Sequence, residues 1–293
     1  MNKKLVMGIS IIVGGVMMAT TALASVSGSS GYDAYKAAFK NTHAVASMTG
    51  TAAVTVTDNG NVILKSNHSV KMNSDFKNMS GNSELTVGDQ VRTMSMYRQN
   101  GQTITKSEDG EVYNVISAKG DNFHRSEKWG HEQDNKNVEN IVDLIVGKYQ
   151  DYISLDTKAD GNKQVALKLT GSQISPIANA VASLVASKGE KRHHSASTLE
   201  SSIGSQIPKL VDEIRVTNID VKADIDNQNF IKEQTANVTI TGKDAEGKNH
   251  EMVISVDLNL SNFNNTTPDS IDLTGKQVKT IEPKDMQRFG HHS

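Results

Sequence analysis

The chain has no cysteine, which excludes disulfides, thiolate metal sites, a cysteine nucleophile and a lipid-modified N-terminal cysteine. Its stability must come from packing and strand pairing. Aromatic residues make up 4% and apolar residues 36% of the 293 positions, which predicts a thin core spread over a sheet rather than gathered in a ball. Neither charge sign dominates, with a formal net charge of -2. Nothing in that balance attracts a phosphate backbone, so nucleic acid is not an expected partner. Also missing are a Gly-x-Ser-x-Gly elbow, a phosphate loop and a dinucleotide fingerprint. With that machinery absent, the expectation is a protein that is no enzyme and needs no cofactor.

What is present begins with Lys3 and Lys4, an apolar run from Leu5 through Met18, and Ala22-Leu23-Ala24. Basic, apolar and small-residue regions in this order form a secretory signal over residues 1–24. The expected location is extracytoplasmic after cleavage near Ala24. The alternative is an uncleaved N-terminal anchor, although Gly8, Gly14 and Gly15 weaken the run as a span. Residues 25–31 read as a Ser/Gly linker, 32–273 as one domain and 274–293 as a polar tail that frays.

The pattern that organises the domain lies between Val211 and Leu260. Ile214, Val216, Ile219, Val221, Ala223 and Ile225 alternate with polar residues, with a slip of one residue near Asn218. This is strand periodicity with a bulge. After Asp226-Asn227-Gln228-Asn229 the alternation resumes from Phe230 to Ile240, and again from Met252 to Leu260. Three strands, each with one apolar face, predict an antiparallel meander. A second meander is expected upstream, from Ala46 to Asp58, Val62 to Met72, near Phe76 to Met79, and then Ser83 to Val87. It continues through Arg92 to Arg98, Thr103 to Lys106 and Val112 to Ile116. Asn59-Gly60 and Asn100-Gly101 supply two of its hairpin turns. Asp58 to Ile63 and Asp226 to Ile231 are similar in wording, which reads as shared turn chemistry rather than a repeat.

Helical spacing appears in Tyr32 to Thr42, in Asn137 to Ile153 and, behind a Ser175-Pro176 cap, in Ile177 to Val185. Ser154 to Thr170 reads as a hairpin turning at Asp160-Gly161. Lys188 to Ser202 reads as a loop, and Ile271 with Leu273 as a short edge strand. An apolar sheet face needs a cover, and these helices are the available one. The fold class is therefore α+β, a large curved antiparallel sheet forming an open half-barrel with helices packed on its concave face.

Candidate chemistry is sparse. His124 and His131 flank Trp129, and His193-His194 and His291-His292 are pairs in expected loops, but no His-Glu spacing completes a metal site. Asp156 to Gly161 resembles the start of a calcium loop, yet Lys158 and Leu167 stand where ligands are required. The expectation is no metal. Arg92, Arg98, Lys106, Arg125 and Lys128 outline a basic face that interspersed acids make an ordinary edge-protecting surface.

Three stretches resemble the LolA and LppX/LprG type of extracytoplasmic protein. These are Met96-Tyr97-Arg98-Gln99-Asn100-Gly101-Gln102, Glu127-Lys128-Trp129, and Asn262-Phe263-Asn264 ahead of Pro268 and Ile271. The resemblance covers most of residues 32–273 and implies an open half-barrel with lipid or acyl chains held between sheet and helices. The lipobox cysteine of the LppX/LprG branch is absent. On this reading Val138, Ile141, Val142, Ile145, Val181, Leu184 and Val185 form the cover, and Met252, Ile254, Val256 and Leu258 line the sheet side. The expected partner is a lipid or other apolar ligand bound by a monomer. The competing reading is a structural or regulatory domain with a filled core and a membrane-protein partner.

Overall fold

The computed structural model describes residues 30–74, 76–107, 111–117, 149–174 and 207–281. Helix α1 (Ser30–His43) precedes strands β1 (Ser47–Asp58), β2 (Asn61–Asn73), β3 (Met79–Val87), β4 (Gln90–Gln99), β5 (Gln102–Ser107) and β6 (Val112–Ser117). After them come β7 (Ile153–Thr157), β8 (Lys163–Thr170), β9 (Asp212–Ile225), β10 (Ile231–Lys243), β11 (Asn249–Ser261) and β12 (Gln277–Thr280). All twelve strands join one open sheet in the order β12-β6-β5-β4-β3-β2-β1-β11-β10-β9-β8-β7. Every neighbouring pair is antiparallel except β12 with β6, which run parallel.

The two expected meanders are thus halves of a single sheet, joined where Thr49 opposes Ser261 and the pairing continues to Asp58 opposite Met252. Local chemistry sets the hairpins. Asn59 and Gly60 take φ of 49° and 82°, and Asn100 and Gly101 take 50° and 70°, the left-handed pair that a two-residue turn between twisted strands requires. The slip near Asn218 is a bulge: Thr239 opposes Asn218 while Ile240 opposes Val216, leaving Thr217 as the extra residue.

Because side chains alternate along each strand, the register sorts the residues into two faces. One transverse row reads Leu155, Val165, Ala223, Gln234, Leu258, Ala52, His68, Ser83, Met94. The next reads Leu167, Val221, Ala236, Val256, Val54, Ser66, Leu85, Arg92. This is the apolar face. The other face carries mostly Thr, Asn, Ser, Asp and Lys, with the buried Ile104 and Val115 on β5 and β6, and is cross-linked by bonds such as Ser255 Oγ to Asn237 Oδ1 (2.7 Å) and Gln164 Nε2 to Asp224 Oδ1 (2.9 Å).

Helix α1 lies on the apolar face over β7 to β10. Its Ala38 and Phe39 pack with Val165, Ile225 and Ile231, flanked by Tyr35, Ile153 and Leu155. Among the described residues α1 is the one complete α-helix. The helices expected over residues 137–148 and 177–185 lie outside them, as does the loop expected over residues 188–202. The first of these was expected to continue to Ile153, but Gln150–Tyr152 is a 3-10 turn and Ile153 already opens β7. Two polar bonds fix α1. Tyr35 donates its hydroxyl to Gln234 Oε1 (3.1 Å), and burial pushes that hydroxyl's pKa up to about 12. Thr42 Oγ1 donates to Ala38 O (2.7 Å) and accepts from the Ile231 N–H (2.9 Å).

The structure corrects three strand expectations. Phe76 to Met79 is not a strand before Met79; Phe76 turns back with φ 52° and donates its N–H to Asn73 O. Ile271 and Leu273 form no edge strand, because the Gln99 side chain takes both backbone groups of Ile271. The expected frayed tail instead contributes β12. Residues 264–271 cross the polar face as a strap. Asn264 bonds Ala46, Thr266 bonds Ser47, Asp269 bonds Lys71 and Ser80, and Ile271 bonds Gln99, so β1 to β4 are tied in turn.

Thr42→Val keeps volume but leaves the Ile231 N–H unpaired in a buried position. The expected cost is about 1–3 kcal/mol in urea denaturation, and an unchanged midpoint would mean that this bond does not hold the helix.

Candidate functional site

At the end of the sheet where β1 closes its hairpin with β2, the apolar face is filled. Val56, Leu64, Val87, Leu210 and Met252 form a buried cluster, with Ile207, Ile214, Ile240 and Ile254 against it. A second cluster, Val54, Ala236 and Val256, occupies the middle. Of the lining residues expected from sequence, Met252 and Val256 belong to these clusters. Ile254 packs against both, and Leu258 is buried beside Ala52. All four lie on the apolar face. Val138, Ile141, Val142, Ile145, Val181, Leu184 and Val185 lie outside the described residues.

The opposite end of the same face differs over β1 to β4. Here the rows read Leu260, Gly50, Val70, Gly81, Met96 and then Met48, Met72, Met79, Arg98. Small residues (Gly50, Ala52, Gly81, Ser83) make a shallow trough, and half-exposed methionines border it. The glycines are there for closeness. A Cβ on Gly81 would sit 2.7 Å from Ser69 O, and one on Gly50 would sit 3.3 Å from Val70 Cγ1. Met94 and Phe76 remain 41% and 46% exposed at the border. Unbranched thioethers adapt to irregular apolar partners better than branched side chains do. Sequence reasoning missed this surface; its signal was Met94-Ser95-Met96, two methionines spaced for one strand face.

The filled end also holds a charged clasp. His250, 6% exposed, donates Nδ1 to Asp58 (3.0 Å) and Nε2 to Asp244 Oδ2 (3.0 Å). The two carboxylates come from different hairpin turns, β1 to β2 and β10 to β11. The bond to Asp244, reinforced by Asp58 and opposed by burial, holds His250 above the ordinary histidine value. The same bond holds Asp244 below the ordinary carboxylate range. Both ring nitrogens are thus engaged by carboxylates, an arrangement that favours the protonated ring. An open cleft of about 300 Å³ beside it is lined by Asn59, Glu213, Arg215, Asn249, His250 and Glu251.

The remaining sequence candidates do not converge. Arg92 and Arg98 stand on the apolar face of β4. Lys106 points to the other side, 5.3 Å from the Tyr113 ring centroid. Arg125 and Lys128 lie outside the described residues. The expected basic face is therefore divided. The calcium-like loop is a hairpin turn whose Asp160 binds the backbone and side chain of Asn162. Six of the nine histidines, His124, His131, His193, His194, His291 and His292, are outside the described residues.

No protein-family model matches the chain, and no curated protein matches it. Among solved structures there is similarity to a beta-barrel-like protein of domain of unknown function DUF1849 from Brucella abortus. It is 9% identical, with 74% of this chain and 98% of that chain covered at a TM-score of 0.19. A LolA superfamily protein from Nitrosomonas europaea is 6% identical, with 83% and 94% covered at a TM-score of 0.22. Likenesses this slight assign no family. The open sheet described above rests on its own strand pairing.

The clasp sets a pH dependence. His250 is raised above its ordinary 6.5 in the fold, so its contribution is complete below pH 6.5 and is lost as pH rises through the higher folded value. Asp244, lowered, contributes above its ordinary 3.8 and loses that contribution as pH falls. The Tm of the parent protein should therefore decline on going alkaline from pH 6.5, and His250→Gln should be destabilised more at pH 6 than at pH 9. Equal Tm differences at the two pH values would exclude a charged clasp.

Proposed function

We propose that this chain is an exported, non-catalytic cell-envelope protein that holds a lipid or other amphipathic apolar ligand against the trough on its sheet. One observation carries the reading: a half-exposed apolar surface of small residues and methionines, continuous with the buried centre of the same face. A single-layer sheet gains stability from whatever covers such a surface. A ligand of variable shape suits methionine walls. Residues 1–24 support export by their pattern.

A second reading, a structural or regulatory domain docking on a membrane protein, is favoured by the filled end of the face, where Val56, Leu64, Val87, Leu210 and Met252 pack into a buried cluster.

Native mass spectrometry of the protein recovered from the envelope, with organic extraction, separates the two. The expected result is a lipid-sized mass that travels with the parent protein. It should be lost on Ala52→Phe, which fills the trough, and on Met96→Lys, which charges its wall. A bound mass indifferent to both changes would place the ligand elsewhere, and a bare protein accompanied by a crosslinked membrane partner would favour docking. The N-terminus of the recovered chain should be Ser25.

A further inference from the structure

We propose that His43, Met48 and Met72 form a binding site for a soft monovalent metal ion, Cu(I), at the rim of the sheet beside the C-terminus of α1. The three side chains line one small cavity of about 40 Å³, enough for a single ion, walled on its apolar side by Val45 and Phe76. Met48 and Met72 are direct cross-strand partners on β1 and β2, and Met79 opposes Met72 from β3. Side chains so paired have Cβ atoms about 4.5–5.5 Å apart, a spacing that two flexible thioethers can close onto one ion.

The donor set selects the metal. The described lining also includes Ser47 and Ser74 but no carboxylate, so calcium and magnesium lack the charged oxygen ligands that their sites are built from. Zinc sites are built from thiolate, imidazole and carboxylate rather than thioether. Thioether and neutral imidazole together suit Cu(I). His43 fits that role. Its ring packs on Phe39 with centroids 4.2 Å apart, and among the described residues its nitrogens have no hydrogen-bond partner. The bonds of Thr42 to Ala38 and Ile231 fix the helix end and so position the ring.

The site was illegible as a motif because its donors are dispersed over a helix end and two strands. No group of three or more His, Cys, Asp or Glu that could hold a metal forms among the described residues, and a search for those types overlooks methionine.

The test uses the protein without an affinity tag. Ag(I), which has the same charge and soft character without redox chemistry, is titrated by calorimetry, and Cu(I) is titrated against a chromophoric chelator. The expected result is a single equivalent of each, with affinity lowered by roughly tenfold or more in His43→Gln and in Met48→Leu/Met72→Leu. Leucine conserves the volume, so the double variant keeps its fold, which its circular dichroism checks. Methyl resonances of Met48 and Met72 should shift on addition of Ag(I). The proposal is overturned if no equivalent binds, if binding survives both variants, if it disappears with His291→Gln/His292→Gln instead, or if Zn(II) binds as tightly and displaces Ag(I). Ala52→Phe leaves all three donors in place, so failure here and failure of the lipid reading are distinguishable.

Discussion

The pairing of β1 with β11 is the constraint on which the rest of the structure depends. It joins residues about two hundred positions apart in sequence and turns two meanders, each with its own exposed edge, into one sheet. β1 thereby becomes a central strand, with β2 on one side and β11 on the other. Val54 opposite Val256 and Val56 opposite Ile254 then place apolar side chains in the middle of the face rather than at a border. Such a contact closes a very long loop before it returns any stability, so this topology folds slowly and late relative to its hairpins. The strap reinforces the same junction. Asn264 and Thr266 bond to Ala46 and Ser47 at the start of β1, soon after β11 ends, so a break at the seam would have to break the strap as well.

Joining the meanders creates a wide apolar face, and its cover among the described residues is uneven. α1 takes β7 to β10, held by Phe39 in packing and by Tyr35 and Thr42 in hydrogen bonds. The segment from Ile207 to Leu210 brings aliphatic side chains onto the far end. Over β1 to β4 the side chains themselves become small or flexible. Gly81 admits close backbone approach where a larger residue would clash, and Gly50 lies under the side chains of Val70 and Leu260, which leaves methionines to define the rim. The candidate site is thus the part of the face that neither α1 nor the Ile207 to Leu210 segment fills.

Much of this was legible locally. Alternation from Val211 to Leu260 located β9, β10 and β11, the slip at Asn218 located the bulge at Thr217, and Asn59-Gly60 and Asn100-Gly101 located two hairpin turns. Period and turn chemistry are carried by neighbours in sequence, so sequence shows them. Neighbours in space are another matter. Nothing near Thr49 announces Ser261, and nothing in Gln277 to Thr280 announces a parallel partner in β6. Phe76 reads as a strand residue by propensity, but the turn from β2 to β3 forces it to positive φ. The apolar lining at Met252 to Leu258 was readable as a face, whereas the methionine border depends on register across three strands and was not.

The two ends of the sheet follow opposite electrostatic logic. At one end a buried histidine ring is closed between two carboxylates, each also held by its own hairpin. Removing His250 would leave two carboxylates without the donor they share, so the arrangement tolerates little movement. At the other end, Arg98 apart, the groups are soft and uncharged: thioethers, glycine backbone and a histidine ring resting on a phenylalanine ring. Their contacts are dispersive and individually weak, so they rearrange at small cost. Local stability is therefore graded along the strands from clasp to trough. A surface that must adapt to a ligand while the sheet keeps its register needs this gradient, because strands pinned at one end transmit little of the adjustment made at the other.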